Sequence, residues 1–261
     1  GRTVIDEIKG VFRDLERMEE SDPIHLAQAK CYAYIYADQR NLEEIGVQMT
    51  YANLDTEEIR RFHYFYKKTE LDDWFAELIS AYQKWAQMEL EWKHERKESI
   101  GHTAFPYPYR EGQKELAAAV YRTIWHGKKL FIQAPTGVGK TLSTVFPAVQ
   151  AVGKNLGDKI FYLTAKTITR TVAEDAFSLL KSKGLRYKVV TLTAKEKICF
   201  CEEPDCNPEK CPYARGHFDR VNDAVFELLS SYDDNTGNYN RDRIMAQAEK
   251  WQVCPFEMAL D

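Results

Sequence analysis

No apolar run in the sequence is long enough to span a bilayer, and its start carries no signal-peptide pattern, so the chain is expected in the cytoplasm with no membrane partner. Global positive charge is missing too. The 36 Lys and Arg against 40 Asp and Glu leave a net charge of -4, so any groove for nucleic acid must be local. Cysteine is scarce through most of the length: of six, only Cys31 precedes residue 198. Such clustering argues against a disulfide framework in a cytoplasmic chain and points to metal. An initiator methionine is also lacking; the chain opens on Gly1-Arg2 and is expected to be a fragment. What remains is ample for folding, since 261 residues with 44% hydrophobic content suggest two domains with sizeable cores.

The most informative stretch is Ala134-Pro135-Thr136-Gly137-Val138-Gly139-Lys140-Thr141. Residues 129–133, with Leu130, Phe131 and Ile132 at their centre, read as a buried parallel strand, and a helical period follows from Thr141 to Val152. Strand, glycine-rich loop and helix in that order make a phosphate-binding loop. Glycines let successive N–H groups face phosphate oxygens, and the helix presents its positive end to the same anion. Lys140 is expected to reach the β- and γ-phosphates of ATP, and Thr141 to hold Mg²⁺. Ala134 stands where the strict pattern has glycine.

In the first hundred residues a strand, residues 3–9, places Glu7 and Lys9 on one face and Asp6 and Ile8 on the other. Asp22-Pro23 is a helix start, and the helix carries Gln28 and Tyr32 four residues apart, on one side. Ile45, Val47, Met49 and Tyr51 alternate, as do Phe62, Tyr64 and Tyr66, with a turn at residues 53–56 between them, which predicts a hairpin. A long helix is predicted over residues 70–97. A Glu-x-Lys strand followed by a helix with Gln-x-x-x-Tyr resembles the RecB-like branch of the PD-(D/E)xK nucleases over residues 1–98. That resemblance implies a metal-holding role for Glu7, a water-positioning role for Lys9 and a supporting role for Gln28 and Tyr32. The family also uses an aspartate on a preceding strand, and this sequence has none.

Residues 99–110, rich in Pro, Gly and aromatics, read as the linker between domains. Gln113 then opens a helix ahead of the phosphate-binding loop. Residues 159–163 read as a second apolar strand and residues 187–192 as a third, and the alternation of strands and helices implies a parallel sheet with ligands at the carboxyl ends of its strands. Thr164-Ala165-Lys166-Thr167 occupies such an end and suits a sugar-phosphate backbone. Cys199, Cys201, Cys206 and Cys211 crowd together, and Cys254 returns after a helical excursion. Four thiolates satisfy tetrahedral zinc or a [4Fe-4S] centre equally, so spacing leaves both open.

The phosphate-binding loop, the Thr164 to Thr167 segment, the split cysteines and the closing Cys254-Pro255-Phe256 look like the XPD/DinG group of iron-sulfur superfamily 2 DNA helicases over residues 103–261. The resemblance implies an α/β architecture: a RecA-like parallel-sheet motor domain (residues 111–198) with an iron-sulfur insertion (residues 199–261), behind the partial nuclease-like domain. It also implies adenine recognition by Gln113, and contacts from Thr164, Ala165, Lys166 and Thr167 to single-stranded DNA or a forked duplex. A [4Fe-4S] cluster would be bound by Cys199, Cys206, Cys211 and Cys254, with Cys201 as alternate. The implied activity is ATP-driven 5′-to-3′ DNA unwinding in repair or recombination. No Asp-Glu-Ala-His-like string occurs, so this piece alone is expected to turn over poorly. The rival expectations are a helicase-nuclease with a live nuclease domain and a zinc-binding P-loop NTPase.

Overall fold

The computed structural model describes residues 3–135, 137–164, 167–231 and 237–261, with the side chains of residues 167–170 also outside the description. The chain divides into two compact units between Ala86 and Gln87.

In the first unit, β1 (Val4–Val11) runs parallel to β2 (Glu44–Asn53), and β2 runs antiparallel to β3 (Ile59–Lys67), giving the order β1-β2-β3. The predicted hairpin is present, and Asn53 makes its turn by accepting from the Asp55 and Thr56 N–H groups at 2.8 and 3.1 Å. Between β1 and β2 in the chain, α1 (Pro23–Arg40) starts where the sequence says it should: the Asp22 carboxylate accepts from Ile24 N–H at 2.9 Å, and Pro23 needs no donor in the first turn. Ala29, Ala33 and Ala37 recur every four residues and are 0% exposed. Their small side chains let α1 lie close against Ile45, Val47, Met49 and Tyr51 of β2. The strand register sets Glu7 opposite Met49 and Lys9 opposite Tyr51, so both face the α1 side of the sheet.

The long helix α2 (Lys68–His102) contains the division between units. Residues 99–102, expected as linker, are its last turn, and Ile100 is buried in the core of the second unit. A buried isoleucine at helical spacing overrides the turn signal of Gly101 next to it.

The second unit contains α3 (Gln113–Trp125), α4 (Lys140–Gly153), α5 (Thr167–Lys181), β4 (Val189–Val190), α6 (Lys195–Ile198), α7 (His217–Ser230), β5 (Asn238–Tyr239), α8 (Arg241–Trp251) and α9 (Pro255–Met258). One core gathers Val145, Val149 and Val152 of α4 with Phe177 and Leu180 of α5 and Leu185 and Tyr187. A second core joins Ile198, Val221, Ala224, Ile244, Ala248, Val253 and Met258, so the cysteine-bearing region packs around its own centre.

The expected parallel strands differ from what forms. Residues 129–133 and 159–163 are not paired strands, and Phe131, Phe161 and Leu163 are 94%, 78% and 89% exposed. Of residues 187–192 only Val189–Val190 is a strand, pairing in parallel with Asn238–Tyr239. An apolar run supplies side chains for a buried strand, but a strand exists only where neighbouring backbone completes its ladder. Among the described residues the first two runs form no ladder with neighbouring backbone.

Candidate nucleotide-binding site and cysteine cluster

Gly137 and Gly139 hold φ of 84° and 72°, the left-handed backbone that bends the loop onto α4. Gly139 is the N-cap of α4 and no side chain caps it, which leaves the first-turn N–H groups to an anion. Lys140 Nζ donates to the carbonyls of Ala134 and Pro135 at 2.9 and 2.8 Å. Gln113, 6% exposed, accepts from Arg110 N–H at 2.8 Å and donates from Nε2 to Val138 O at 2.8 Å. The Arg110 guanidinium donates to Gly137 O at 2.7 Å. Three side chains thus grip four loop carbonyls. The cradle is tight, because a Cβ at Gly139 would collide with Gln113 Nε2. These backbone dipoles, the uncapped helix end and the ammonium suit a nucleotide polyphosphate.

The structure brings Gln113 and Lys140 to the same loop, with Thr141 half-buried in the first turn of α4. Thr136 lies outside the described residues, as do Ala165 and Lys166. Thr164 is exposed just before that gap, and Thr167 opens α5. Arg110 escaped the sequence reading; its only signal was its place three residues before Gln113.

All five clustered cysteines are free thiols. Cys201 Sγ lies 4.0 Å from Cys211 Sγ, close to the roughly 3.8 Å edge of a tetrahedron of 2.3 Å metal-sulfur bonds. Burial first, then the adjoining sulfurs of Cys211 and Cys199, pushes the Cys201 thiol up to about 11. Cys201, the alternate in the ligand set, is therefore the thiol placed against Cys211. Lys195 bonds Cys206, which raises the lysine's pKa, and lies 3.6 Å from Glu257 and over the Phe256 ring. Burial raises the Cys254 thiol as well. Among the described residues no three His, Cys, Asp or Glu side chains converge as a metal-holding group. Cysteine sulfur is the donor that zinc and iron-sulfur sites use, and a thiol must lose its proton before it binds either.

In the first unit, Lys9 Nζ pairs with Glu7 at 2.9 Å and donates to Gln28 Oε1 at 2.8 Å, and Gln28 Nε2 donates to Tyr32 OH at 3.1 Å. All four nuclease-like residues meet in one line. Asp6, on the opposite face, accepts from Gln48 and Thr50.

Comparison with known proteins fits the loop geometry. Residues 110–201 match the DEAD/DEAH box helicase family. A probable ATP-dependent helicase of Methanocaldococcus jannaschii is 30% identical over an alignment of 152 residues, which takes in 45% of this chain and 23% of that protein. The chain thus spans about a quarter of that relative's length. No solved structure matches. Both likenesses support a helicase superfamily and a RecA-like α/β fold for the matched segment. The match ends at Cys201, so most of the cysteine region and the whole first unit lie outside it. Among the described residues no helix is long and apolar enough to cross a membrane.

Proposed function

We propose that this chain is part of a cytoplasmic ATP-driven DNA helicase of the XPD/DinG-like iron-sulfur type, acting 5′ to 3′ on single-stranded DNA or a forked duplex during repair or recombination. The observation that carries the reading is the grip of Arg110, Gln113 and Lys140 on the 134–140 loop. Lys140 moves from two carbonyls to the β- and γ-phosphates, and Thr141 holds Mg²⁺. Gln113 fixes the loop with one N–H and keeps its second for an adenine edge. Thr164 to Thr167 hold the DNA backbone without reading sequence. Cys199, Cys206, Cys211 and Cys254, with Cys201 as alternate, would hold a [4Fe-4S] cluster. That group would supply a covalent brace across the insertion.

Lys140→Ala tests the core of the proposal. Binding of a fluorescent ATP analogue is expected to weaken at least about tenfold, the scale of losing one charge-assisted phosphate contact. Unchanged affinity would sink the nucleotide reading. A second reading, a helicase-nuclease, is favoured by the Glu7, Lys9, Gln28 and Tyr32 line and needs metal-dependent DNA cleavage that Glu7→Gln abolishes.

A further inference from the structure

The first turn of α7 sits between the two cysteine-bearing segments and bonds to both. His217 Nδ1 accepts from the backbone N–H of Cys254 at 3.2 Å. Arg220, three residues on and so on the same side of the helix, donates from Nε to Trp251 O at 3.0 Å and from Nη2 to Gln252 O at 2.7 Å. Nη2 also donates to Arg215 O at 2.8 Å. Arg215 in turn donates to Pro208 O and Glu209 O at 3.1 and 2.9 Å, inside the loop that joins Cys206 to Cys211. Two guanidinium groups and one imidazole therefore form a continuous set of bonds from the Cys206–Cys211 loop to the residues that present Cys254.

We propose that His217 and Arg220 are the positioning residues of the thiol cluster: together they fix Cys254 relative to Cys206 and Cys211. Helix capping accounts for only part of this arrangement. An arginine that merely capped the end of α8 would satisfy Trp251 and Gln252, whereas Arg220 also holds the carbonyl of Arg215, whose own guanidinium holds the cysteine loop. Gly216 leaves room for this guanidinium, since a Cβ there would stand 2.6 Å from Arg220 Nη1. His217 is 3% exposed, and because Nδ1 accepts, its proton sits on Nε2, which has no hydrogen-bond partner among the described residues. A buried N–H without a partner destabilises, so packing alone would favour an apolar ring at this position. The ring is explained by its acceptor nitrogen. Val253, 0% exposed, anchors the same strip in the core from the other side.

The inference rests on the reading of these thiols as a metal centre, and the test separates the two. The full chain and its His217→Phe, His217→Gln, Arg220→Met and Arg220→Lys variants are stripped of metal with a chelator. Alkylation of Cys254 by iodoacetamide is followed by mass spectrometry, with Cys31 as internal reference. Each protein is then titrated with Co²⁺, read by thiolate-to-cobalt absorption. His217→Phe and Arg220→Met are expected to speed Cys254 alkylation and weaken Co²⁺ binding by about 10- to 100-fold, the usual loss when a ligand's support is removed. His217→Gln, which keeps an acceptor, is expected to recover most of both; Arg220→Lys, which loses the fork, is not. Alkylation and Co²⁺ affinity within about twofold of wild type in folded His217→Phe and Arg220→Met would overturn the proposal. Should those two fail to fold by circular dichroism, equal behaviour of His217→Gln and Arg220→Lys would overturn it instead. A wild-type chain that binds no Co²⁺ defeats the metal reading, while the alkylation rates still decide the positioning.

Discussion

At Gly139 the backbone φ of 72° is one that an L side chain adopts only under strain, and the Gln113 amide fills the space where a methyl would go. Gly139→Ala is therefore expected to cost about 1–3 kcal/mol in the loop and to weaken nucleotide binding roughly tenfold or more, read by titration with a fluorescent ATP analogue. A different kind of residue-scale effect belongs to Lys181, which donates to Asn238 Oδ1. Burial, and then the neighbouring Arg243, lowers its pKa from 10.5 to about 8. The folded value lies below the unfolded one. Between about pH 8 and 10.5 the unfolded chain holds more protons, so stability rises with pH across that window, and the full penalty stands below it. Lys181→Met removes this titration. Apart from a constant offset for the lost bond to Asn238, its advantage over wild type is expected to be on the order of 1–2 kcal/mol below pH 8, discounted for partial exposure, and to shrink toward pH 10 in urea titrations.

Among the elements, α1 is the one whose whole logic is local. Its cap, its first proline and its alanine stripe are all written within residues 22–37, and Ala33 is 0% exposed against β2. Ala33→Leu would force extra methyl groups into a close helix-sheet contact and is expected to destabilise the first unit by about 1–3 kcal/mol in chemical unfolding. The same locality explains what the sequence disclosed. Helices α1, α4, α7 and α8 and the β2–β3 hairpin depend on short-range period, caps and a turn, and all were legible. The runs at 129–133 and 159–163 were misjudged as paired strands, since a ladder depends on backbone far along the chain that periodicity does not reveal. Lys140 was legible because the loop motif fixes its place, and Gln113 was singled out by the resemblance alone, which did not foresee its bond to the loop carbonyl of Val138. Arg110, His217 and Arg220 were not, because their partners are backbone carbonyls and an N–H, which leave no signature in side-chain order.

For the molecule as a whole, the chain forms two compact units, each with a core of its own. The Ala33 contact lies in residues 1–86 and the phosphate-binding loop in residues 87–261, so Ala33→Leu is expected to leave nucleotide affinity unchanged while it lowers stability. The placement of Lys140 has a last consequence. Its ammonium rests on the carbonyls of Ala134 and Pro135, so an incoming anion must outbid two neutral acceptors already at hydrogen-bond distance. A lone orthophosphate offers little beyond that exchange, whereas a triphosphate adds oxygens for the α4 N-terminus and a seat for Mg²⁺. On the proposed nucleotide reading, the backbone would act as a resident competitor whose threshold a triphosphate meets more readily than a small anion.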